Sequence, residues 1–358
     1  MKLTHLNTMQ EPTWSWLKMN ESSFDFDIDL SGVYRGGEIT HNNQIQLSRN
    51  LQMTELAHLP EDLTRLRDFI YKTRNYTLHI TIKEGEQISE PIIIDFLLDD
   101  HSPLLLDYIE IHALKGSKAD VVLRYQSDNA GRRIHGNFTS VIAEQGSVVN
   151  VTSLQTLGDD DKHLSGVAIV VKEEGEGNAI SCELGAKHVV SGYNILLEES
   201  KSQSTFDSLY VGTKNRVQDF NYRLELRGKE SEGEISARGV LLDNAKKTLV
   251  STLDFIQGAS GSSGREVESV LALSDKVVNL STPLLLANED NVQGEHATSI
   301  GKPDKDKLYY LMSRGFSQKE ALRLVVEASF TPILNKLPTN ELKALVEQHI
   351  QKALDEQS

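Results

Sequence analysis

The feature that most constrains this fold is a long succession of short, β-branched or alternating segments between Tyr76 and Leu286. Nearly every gap between the segments contains Gly, Asn, Asp or Ser, which favour turns. Because no stretch of helical periodicity interrupts this zone, alternating strand–helix–strand units are excluded, and a sandwich, a barrel or a β-helix remains. The predicted strands are Tyr76–Ile82, Ile92–Leu98, Ala119–Tyr125, Ser147–Leu154, Gly166–Lys172, Asn178–Leu184, Gln203–Val211, Val217–Leu226, Glu234–Leu242, Lys247–Phe255, Glu266–Leu273 and Lys276–Leu286.

The size of this zone favours one of the three architectures. Roughly 210 residues with twelve or more strands are many for a single sandwich, and a barrel of so many strands would be unusual. A β-helix grows by adding coils that contact only their neighbours, so its length is not limited. We therefore predict a mainly β protein with a right-handed parallel β-helix core over residues 76–300, although no crisp sequence repeat is visible.

Residues 1–75 form a mixed region ahead of the strands. Leu51–Tyr71 has apolar residues at helical spacing, and Pro60 within it indicates a helix start. We expect a small mixed or helical N-terminal region. Its predicted apolar anchor consists of Trp14, Trp16 and Leu17.

Residues 301–358 are predicted to form a C-terminal helical subdomain. Ser317 and Glu320 have the spacing of a capping box, in which each side chain binds the backbone N–H of the other residue. Pro332 is expected to end or bend the helix that follows. Thr339 is expected to cap a last helix.

Charge and cysteine content exclude several classes of protein. Lys and Arg number 37 against 52 Asp and Glu, a net charge of −15, which argues against a nucleic-acid binder. The apolar runs are far below the roughly 18 residues that a membrane span needs, and the N-terminus lacks the apolar stretch of a secretory signal. The single cysteine, Cys182, excludes an intrachain disulfide and suits a reducing compartment. We expect a cytoplasmic protein with neither nucleic acid nor membrane as partner.

Familiar catalytic motifs are missing from the sequence. It contains no G-x-x-x-x-G-K-[ST] loop, no G-x-S-x-G elbow and no H-E-x-x-H. Gly258–Gly264 is rich in Gly and Ser and indicates a flexible loop. Cys182 occupies an alternating position of a predicted strand, so we interpret it as an inert, buried thiol. These observations favour a protein that is not itself an enzyme.

A continuous run of motifs connects the end of the strand zone to the helical region. His296–Gly301 (HATSIG) precedes Leu308–Gly315 (LYYLMSRG), which is followed by Phe316, Glu320-Ala321 and Leu324–Phe330. In order, spacing and residue type these motifs resemble the SufB/SufD family of the SUF system for iron–sulfur cluster assembly. Arg238–Ala245 (RGVLLDNA) is similar to a core strand of the same family.

Two departures place the resemblance on the SufD branch. SufB proteins carry a cysteine in the strand before the histidine segment, whereas Asn279–Leu286 contains none. Their histidine segment reads H-E-A, whereas Glu295 precedes His296 in this sequence. The resemblance implies a SufD-like scaffold subunit of a SufBCD-type complex.

The resemblance also implies partners. A SufB-like protein would pair through the β-helix, and an ABC ATPase of the SufC type would dock on the C-terminal helices. An iron–sulfur cluster usually takes four cysteines, so we expect no cofactor and no metal on the isolated chain, only a transient cluster at the SufB interface. His296 is the candidate residue at that interface, as a neutral imidazole ligand or a proton carrier. The alternative is a hydrogen-bonded structural histidine.

The candidate ATPase-docking residues lie on the predicted C-terminal helices. They are too many large apolar side chains for two short helices, so some should remain exposed as a partner site. Gly315 is also expected to end a helix. The candidates are Leu308, Tyr309, Leu311, Arg314, Gly315, Leu322, Val325 and Val326.

Two alternative functions stay open. The first is a SufB/SufD relative that acts as a homodimeric scaffold without SufB. The second, more remote, is a β-helix carbohydrate-active enzyme, which would need clustered carboxylates on successive coils. Asp159–Asp161 and Glu173–Glu174 are acidic, and we interpret both as solvated loop clusters.

Overall fold

The computed structural model describes residues 1–12, 16, 19–40, 45–49, 53–56, 58–128 and 131–356. In this part of the chain, two nine-stranded sheets enclose a common apolar core. Sheet I contains β3 (Glu38–Thr40), β6 (Ile92–Leu98), β8 (Lys118–Ser127), β10 (Val148–Thr156), β12 (Glu176–Glu183), β14 (Gln203–Gly212), β16 (Glu232–Leu241), β18 (Ser263–Ala272) and β20 (Gln293–Gly301). Sheet II contains β4 (Ile45–Ser48), β5 (Tyr76–Ile82), β7 (Leu104–Ala113), β9 (Ile134–Ala143), β11 (Lys162–Val171), β13 (His188–Leu197), β15 (Val217–Leu226), β17 (Lys246–Phe255) and β19 (Val278–Ala287).

The chain passes alternately through the two sheets and so builds a parallel β-helix. From β5 onwards each strand pairs in parallel with the strand two places later, giving about eight coils of two strands each. Equivalent positions such as Val148, Glu176, Gln203, Glu232 and Ser263 are hydrogen-bonded neighbours. They are spaced 28, 27, 29 and 31 residues apart along the chain. The predicted β-helix is confirmed.

One edge of the β-helix has a left-handed residue in the turn of each successive coil. Such a conformation favours glycine, yet three coils use other residues there. The turn residues are Gly116, Gly146, Glu174, Lys201, Glu230 and Gly261, with φ values between 55° and 82°.

The N-terminal region covers the outer face of sheet II. It contributes the antiparallel pair β1 (Lys2–Leu6) and β2 (Ser22–Asp25) and the helix α1 (Glu61–Thr73). One face of α1 packs on β7, β9 and β11 because glycines on the sheet leave room for it. A Cβ on Gly166 would stand 2.7 Å from Leu66 Cδ2 and 3.0 Å from Phe138 Cδ2. The shared apolar cluster includes Leu63, Leu66, Ile70, Leu106, Phe138 and Ala168.

The C-terminal helices cover the outer face of sheet I. They are α2 (Lys305–Ser313), α3 (Gln318–Leu334) and α4 (Asn340–Asp355). The predicted capping box of Ser317 and Glu320 is present, and Thr339 caps α4. Pro332 lies inside α3, which ends two residues later. The buried cluster under these helices includes Leu154, Cys182, Leu209, Val240, Val326, Phe330, Ile333, Leu342 and Val346.

Most predicted elements coincide with observed ones, and the exceptions are informative. All twelve predicted strands overlap strands of the structure, but β1 to β4, β7, β9, β13 and β20 were not predicted. The predicted helix over Leu51–Tyr71 begins only at Glu61, directly after Pro60. Of the predicted N-terminal anchor, Trp14 and Leu17 lie outside the described residues. Trp16 is 70% exposed, so its predicted burial is wrong.

The described helices are at most 17 residues long. None of them is both long and apolar enough to cross a membrane.

Candidate functional site

The last coil of the β-helix differs from all the others in its exposure. In the inner coils strands such as β9 and β13 are buried almost throughout, whereas every residue of β20 is exposed and β19 is at most half-buried. β19 and β20 are also the terminal strands of their sheets in the described part of the chain. Their outer backbone groups therefore form two open sheet edges. Ile300 on β20 is 51% exposed, although it is a large apolar residue.

His296 lies on this last coil, at the end of an inward-facing column of residues. Neighbours in register on parallel strands point to the same side of a sheet, and Ile235 and Glu266 in this column are buried. His296 therefore faces the lumen between the sheets, at its open mouth. From the first to the last coil the column reads Ile92, Val121, Val151, Ala179, Phe206, Ile235, Glu266 and His296.

Beneath the mouth, the lumen contains a buried charged cluster. Lys247 Nζ contacts Glu268 Oε1 and donates a hydrogen bond to Ser281 Oγ at 2.9 Å. Tyr210 donates from its hydroxyl to Glu268 Oε1 at 3.0 Å. Lys247 is 0% and Glu268 1% exposed. Burial lowers the pKa of Lys247 and raises that of Tyr210, because it disfavours the charged form of each group.

Glu266 is the second carboxyl group of this cluster. Its side chain is buried. Burial raises the pKa of Glu266 to about 7. Because Lys247 is paired with Glu268, Glu266 is left without a compensating cation when it is ionised.

A second buried polar cluster lies deeper in the lumen. His135 places Nε2 2.7 Å from Asp107 Oδ1 and Nδ1 2.8 Å from His163 Nδ1. Tyr125 donates to Asp107 Oδ2 at 3.1 Å, and His163 Nε2 lies 3.7 Å from Glu183 Oε2. Burial lowers the pKa of His135 to about 3 and that of His163 to about 4. Both imidazoles are therefore neutral at neutral pH.

Metal ligands are sparse in the structure. Within the described ranges, no group of three or more His, Cys, Asp or Glu side chains is placed to hold a metal ion. Cys182 points away from the lumen and is buried under the C-terminal helices. Burial raises the pKa of its thiol, so the thiolate is disfavoured. The interpretation of Cys182 as a buried thiol is confirmed.

An exposed apolar patch covers α2 and the start of α3. Tyr309 is 75% exposed, and Leu308, Leu311, Leu322 and Val325 are half-buried. We call this surface the α2–α3 patch; it consists of Leu308, Tyr309, Tyr310, Leu311, Met312, Phe316, Leu322, Leu324 and Val325.

Three of the docking candidates have structural roles. Val326 is fully buried against sheet I, so we assign it to packing. Gly315, with φ +101°, follows α2 and ends it as expected. The Arg314 guanidinium lies 5.1 Å from the centre of the Tyr310 ring, a cation–π contact.

The first acidic loop cluster, Asp159–Asp161, has structural partners. Asp161 accepts hydrogen bonds from Gly158 N at 2.6 Å, Arg133 N at 2.7 Å and Ser127 Oγ at 2.6 Å. Asp161 is buried, so the interpretation of this cluster as solvated is wrong for that residue. Asp159 forms an ion pair with Arg216 at 2.8 Å.

Lys247, Glu266 and Glu268 escaped the sequence interpretation. All three stand at inward positions of alternating strands, where apolar residues are the rule. The signal in the sequence was a charged residue at a position where the alternation of the strand calls for a buried apolar one, because charged residues are rarely buried unless they are paired.

Comparison with known proteins places this architecture in a family. A family model described as "SUF system FeS cluster assembly, SufBD core domain" matches residues 96–329. This range extends well upstream of Arg238, where the resemblance in the sequence begins.

Curated relatives agree with the family match. The chain is 29% identical to the iron–sulfur cluster assembly protein SufD of Bacillus subtilis over 237 residues, 62% of this chain and 54% of the relative. It is 22% identical to an iron–sulfur cluster assembly SufBD family protein of Pyrococcus horikoshii over 286 residues, 76% of this chain and 62% of the relative. The chain thus spans somewhat more than half the length of these relatives. Because the family model covers more than half of the chain, the protein belongs to the SufBD core family of the SUF system of FeS cluster assembly.

Proposed function

We propose that this protein is a SufD-like, non-catalytic scaffold subunit of a cytoplasmic complex that assembles iron–sulfur clusters. The observation that carries the proposal is the open last coil, which combines two unpaired sheet edges with a charged lumen. The family match and the 29% identity to a SufD protein support it. The cluster would be the cargo of the complex rather than a cofactor of this chain.

The first proposed partner is a SufB-like protein at the open end. An exposed edge strand offers backbone N–H and C=O groups that a strand of another chain can pair with. The exposed Ile300 on β20 and Val278 on β19 supply apolar area at this end. His296 would then be enclosed at the interface, where its imidazole would serve as a ligand or a proton carrier.

The second proposed partner is an ABC ATPase of the SufC type, bound at the α2–α3 patch. Contiguous exposed apolar side chains mark interaction sites on soluble proteins. The patch presents aromatic rings at Tyr309, Tyr310 and Phe316. Only residues 302–304 separate α2 from β20. A motion of the docked ATPase would therefore be coupled through a short connection to the open coil.

A homodimeric scaffold is the second candidate function, because the same open end could pair with a second copy of this chain. A carbohydrate-active enzyme has no supporting observation among the described residues, since Asp159 and Asp161 are held by structural contacts. The two scaffold hypotheses predict different complexes in the native cell.

The experiment is a pull-down of tagged full-length chain from its native cell, with three variants. Ile300→Asp should abolish recovery of the SufB-like protein and retain the ATPase, whereas Val325→Asp and Tyr309→Ala should weaken ATPase recovery. Val33→Asp is the matched control, because Val33 is 67% exposed and lies in the N-terminal region. Circular dichroism checks that each variant folds.

The possible outcomes separate the hypotheses. Recovery of a dimer of this chain alone supports the homodimeric scaffold. If Ile300→Asp retains the SufB-like protein at the wild-type level, the pairing surface is elsewhere. If both α2–α3 variants fold and bind the ATPase normally, the docking surface is elsewhere.

A further inference from the structure

The deeper polar cluster of the lumen is a chain of four titratable groups that crosses from one sheet to the other. Asp107 on β7, His135 on β9 and His163 on β11 belong to sheet II. Glu183 on β12 belongs to sheet I. All four side chains are at most 2% exposed. The pairing surfaces proposed above use none of them.

The contact between the two imidazoles couples their tautomers. His135 Nδ1 lies 2.8 Å from His163 Nδ1, and a hydrogen bond between two nitrogens needs one N–H and one lone pair. Because burial lowers the pKa of His135 to about 3 and that of His163 to about 4, each ring carries a single proton at neutral pH. If His135 bears its proton on Nδ1, His163 must bear its own on Nε2. If His163 bears its proton on Nδ1, that of His135 is on Nε2.

The two carboxyl groups stand at the outer nitrogens of this pair. Asp107 Oδ1 lies 2.7 Å from His135 Nε2, and Glu183 Oε2 lies 3.7 Å from His163 Nε2. His163 Nε2 has no hydrogen-bond partner among the described residues. To bring it to Glu183 at a hydrogen-bond distance of about 2.9 Å takes a shift of about 0.8 Å. The four groups are thus one small movement away from an unbroken path of hydrogen bonds.

Two arrangements of protons satisfy this path. In the first, the Asp107 carboxylate accepts from His135 Nε2–H, and His163 Nδ1–H donates to His135 Nδ1. Protonated Glu183 then donates to His163 Nε2. In the second, protonated Asp107 donates to His135 Nε2, and His135 Nδ1–H donates to His163 Nδ1. His163 Nε2–H then donates to the Glu183 carboxylate. One proton moves at each of three contacts, and both arrangements have two neutral imidazoles and one negative charge.

Each carboxyl group has neighbours that stabilise its ionised form. Tyr125 donates to Asp107 Oδ2 at 3.1 Å. Gln155 Nε2 donates to Glu183 Oε2 at 3.0 Å, and Ser181 Oγ donates to Glu183 Oε1 at 3.0 Å. Hydrogen bonds to a charged group favour that charge. The negative charge can therefore rest at either end of the path.

We propose that these four side chains form a proton relay across the lumen, in which a proton gained at one carboxyl group is matched by a proton lost at the other. Imidazoles suit this role because they donate at one nitrogen and accept at the other. The residue that follows Glu183 in register is Tyr210, whose hydroxyl donates to Glu268 of the charged cluster. The relay therefore leads from this side of the lumen to Asp107, two coils deeper. It lies within one chain and does not depend on the proposed partners.

The test determines histidine tautomers in the purified full-length chain at pH 7.5, from two-bond ¹⁵N–¹H couplings measured by NMR. Asp107→Asn should fix the second arrangement: Tyr125 continues to donate to the amide oxygen, so the amide N–H₂ faces His135 Nε2. His163, which Asp107 does not contact, should then be protonated on Nε2. Glu183→Met should fix the opposite tautomer, with His163 protonated on Nδ1, because a buried Nε2–H without an acceptor is unfavourable. The wild-type couplings should lie between those of the two variants.

Asp254→Asn is the matched control for loss of a buried carboxylate. Asp254 is 5% exposed and accepts from Gln10 Nε2 at 2.9 Å in the N-terminal region, outside the lumen. This change should leave the couplings of His135 and His163 at their wild-type values. Single His135→Gln and His163→Gln variants assign the signals.

Three results would overturn the relay. They are the same His163 tautomer in Asp107→Asn and Glu183→Met, imidazoles that are doubly protonated at pH 7.5, and wild-type couplings equal to those of either variant, which would indicate a fixed hydrogen-bond network. If Glu183→Met does not fold, Asp107→Asn against the wild type remains decisive, because the relay requires a change at His163.

Discussion

The two outer faces of the β-helix are covered in different ways. On sheet II the N-terminal region is interwoven with the strands: Asn7 donates to Asp219 Oδ1 at 2.7 Å, and Asp62 accepts from Thr8 N at 2.9 Å and pairs with Arg223 at 3.3 Å. On sheet I the C-terminal helices sit on an apolar strip, with a few polar contacts at its margins. We call the N-terminal region that lies on sheet II the N-terminal cover, and the helices α2 to α4 the C-terminal cover. The N-terminal cover is thus integrated with the β-helix, whereas the C-terminal cover resembles a separate module docked on its surface.

The polar contacts of the C-terminal cover are few and partly exposed. Lys336 pairs with Asp207 at 2.6 Å, and Arg238 donates to the Ser329 carbonyl at 3.1 Å. Lys336 is about half exposed but Asp207 is buried, so this ion pair is only partly screened by solvent. The remaining contact area between these helices and sheet I is the buried apolar cluster, in which a single large side chain can decide the attachment.

The largest expected effect is from Phe330→Ala. Phe330 is fully buried between α3 and sheet I, and its loss should cost about 3–5 kcal/mol. We expect α3 and α4 to detach while the β-helix stays folded. Hydrogen exchange should show lost amide protection in these helices and retained protection in β10, β12 and β14.

Ile70→Ala is the matched variant on the other face. Ile70 is fully buried in the cluster between α1 and sheet II, and its loss should cost about 2–5 kcal/mol. Here protection should decrease in the strands as well, because α1 is integrated with them. If both variants lose protection in the same residues, the distinction between the two covers is wrong.

The next effect concerns the close approach of α1 to sheet II. Gly166→Ala would place a Cβ 2.7 Å from Leu66 Cδ2, and such overpacking should destabilise the protein by about 1–3 kcal/mol. Gly301→Ala is the control, because no atom lies within 4 Å of its added Cβ. Urea unfolding should separate the two variants. Equal urea midpoints for the two variants would show that α1 moves to make room for the added methyl group. Its close packing on sheet II would then not distinguish the N-terminal cover from a docked module.

The last effect concerns the lumen between the two sheets and depends on pH. The folded-state pKa of His163 is about 4, against an ordinary value of 6.5, so the unfolded chain binds a proton first as the pH falls. Stability is therefore fully present above pH 6.5 and is lost between pH 6.5 and 4, by at most about 1.4 kcal/mol per pH unit. His163→Gln should reduce the slope of this part of the pH profile by about half in urea unfolding at pH 7, 6 and 5, because His135, whose pKa is about 3, contributes a loss of stability over the same range.

The difference between the two outer faces of the β-helix also bears on which strands could be predicted from the sequence. β8, β12 and β16 carry alternating buried and less buried residues over part of their length, and all were predicted. β7, β9 and β13 are buried on both faces under the N-terminal cover, so polar and apolar residues do not alternate in them. Period-two reasoning detects such strands only in part: β11 is equally buried, and only its second half, from Gly166 onwards, was predicted.

The candidate site was predictable only in part. His296 and the exposed residues of α2 were identified from motifs that continue along the chain. The meeting of Lys247 with Glu268 depends on two strands of opposite sheets, which local spacing does not reveal. Val326 and Val325 are neighbours in sequence, yet only Val326 faces sheet I, and its burial required the register of α3.

The unequal length of the coils also bears on how such chains diverge. Successive coils advance by 26 to 32 residues while the strands remain in register, so the differences are absorbed in the turns. Insertions and deletions at the turn edge therefore leave the inward columns intact, whereas one inside a strand would exchange lumen and surface residues. A search for an internal repeat of constant length fails in this sequence because the coils differ in length. Divergent relatives should therefore be aligned strand by strand rather than as uniform repeats.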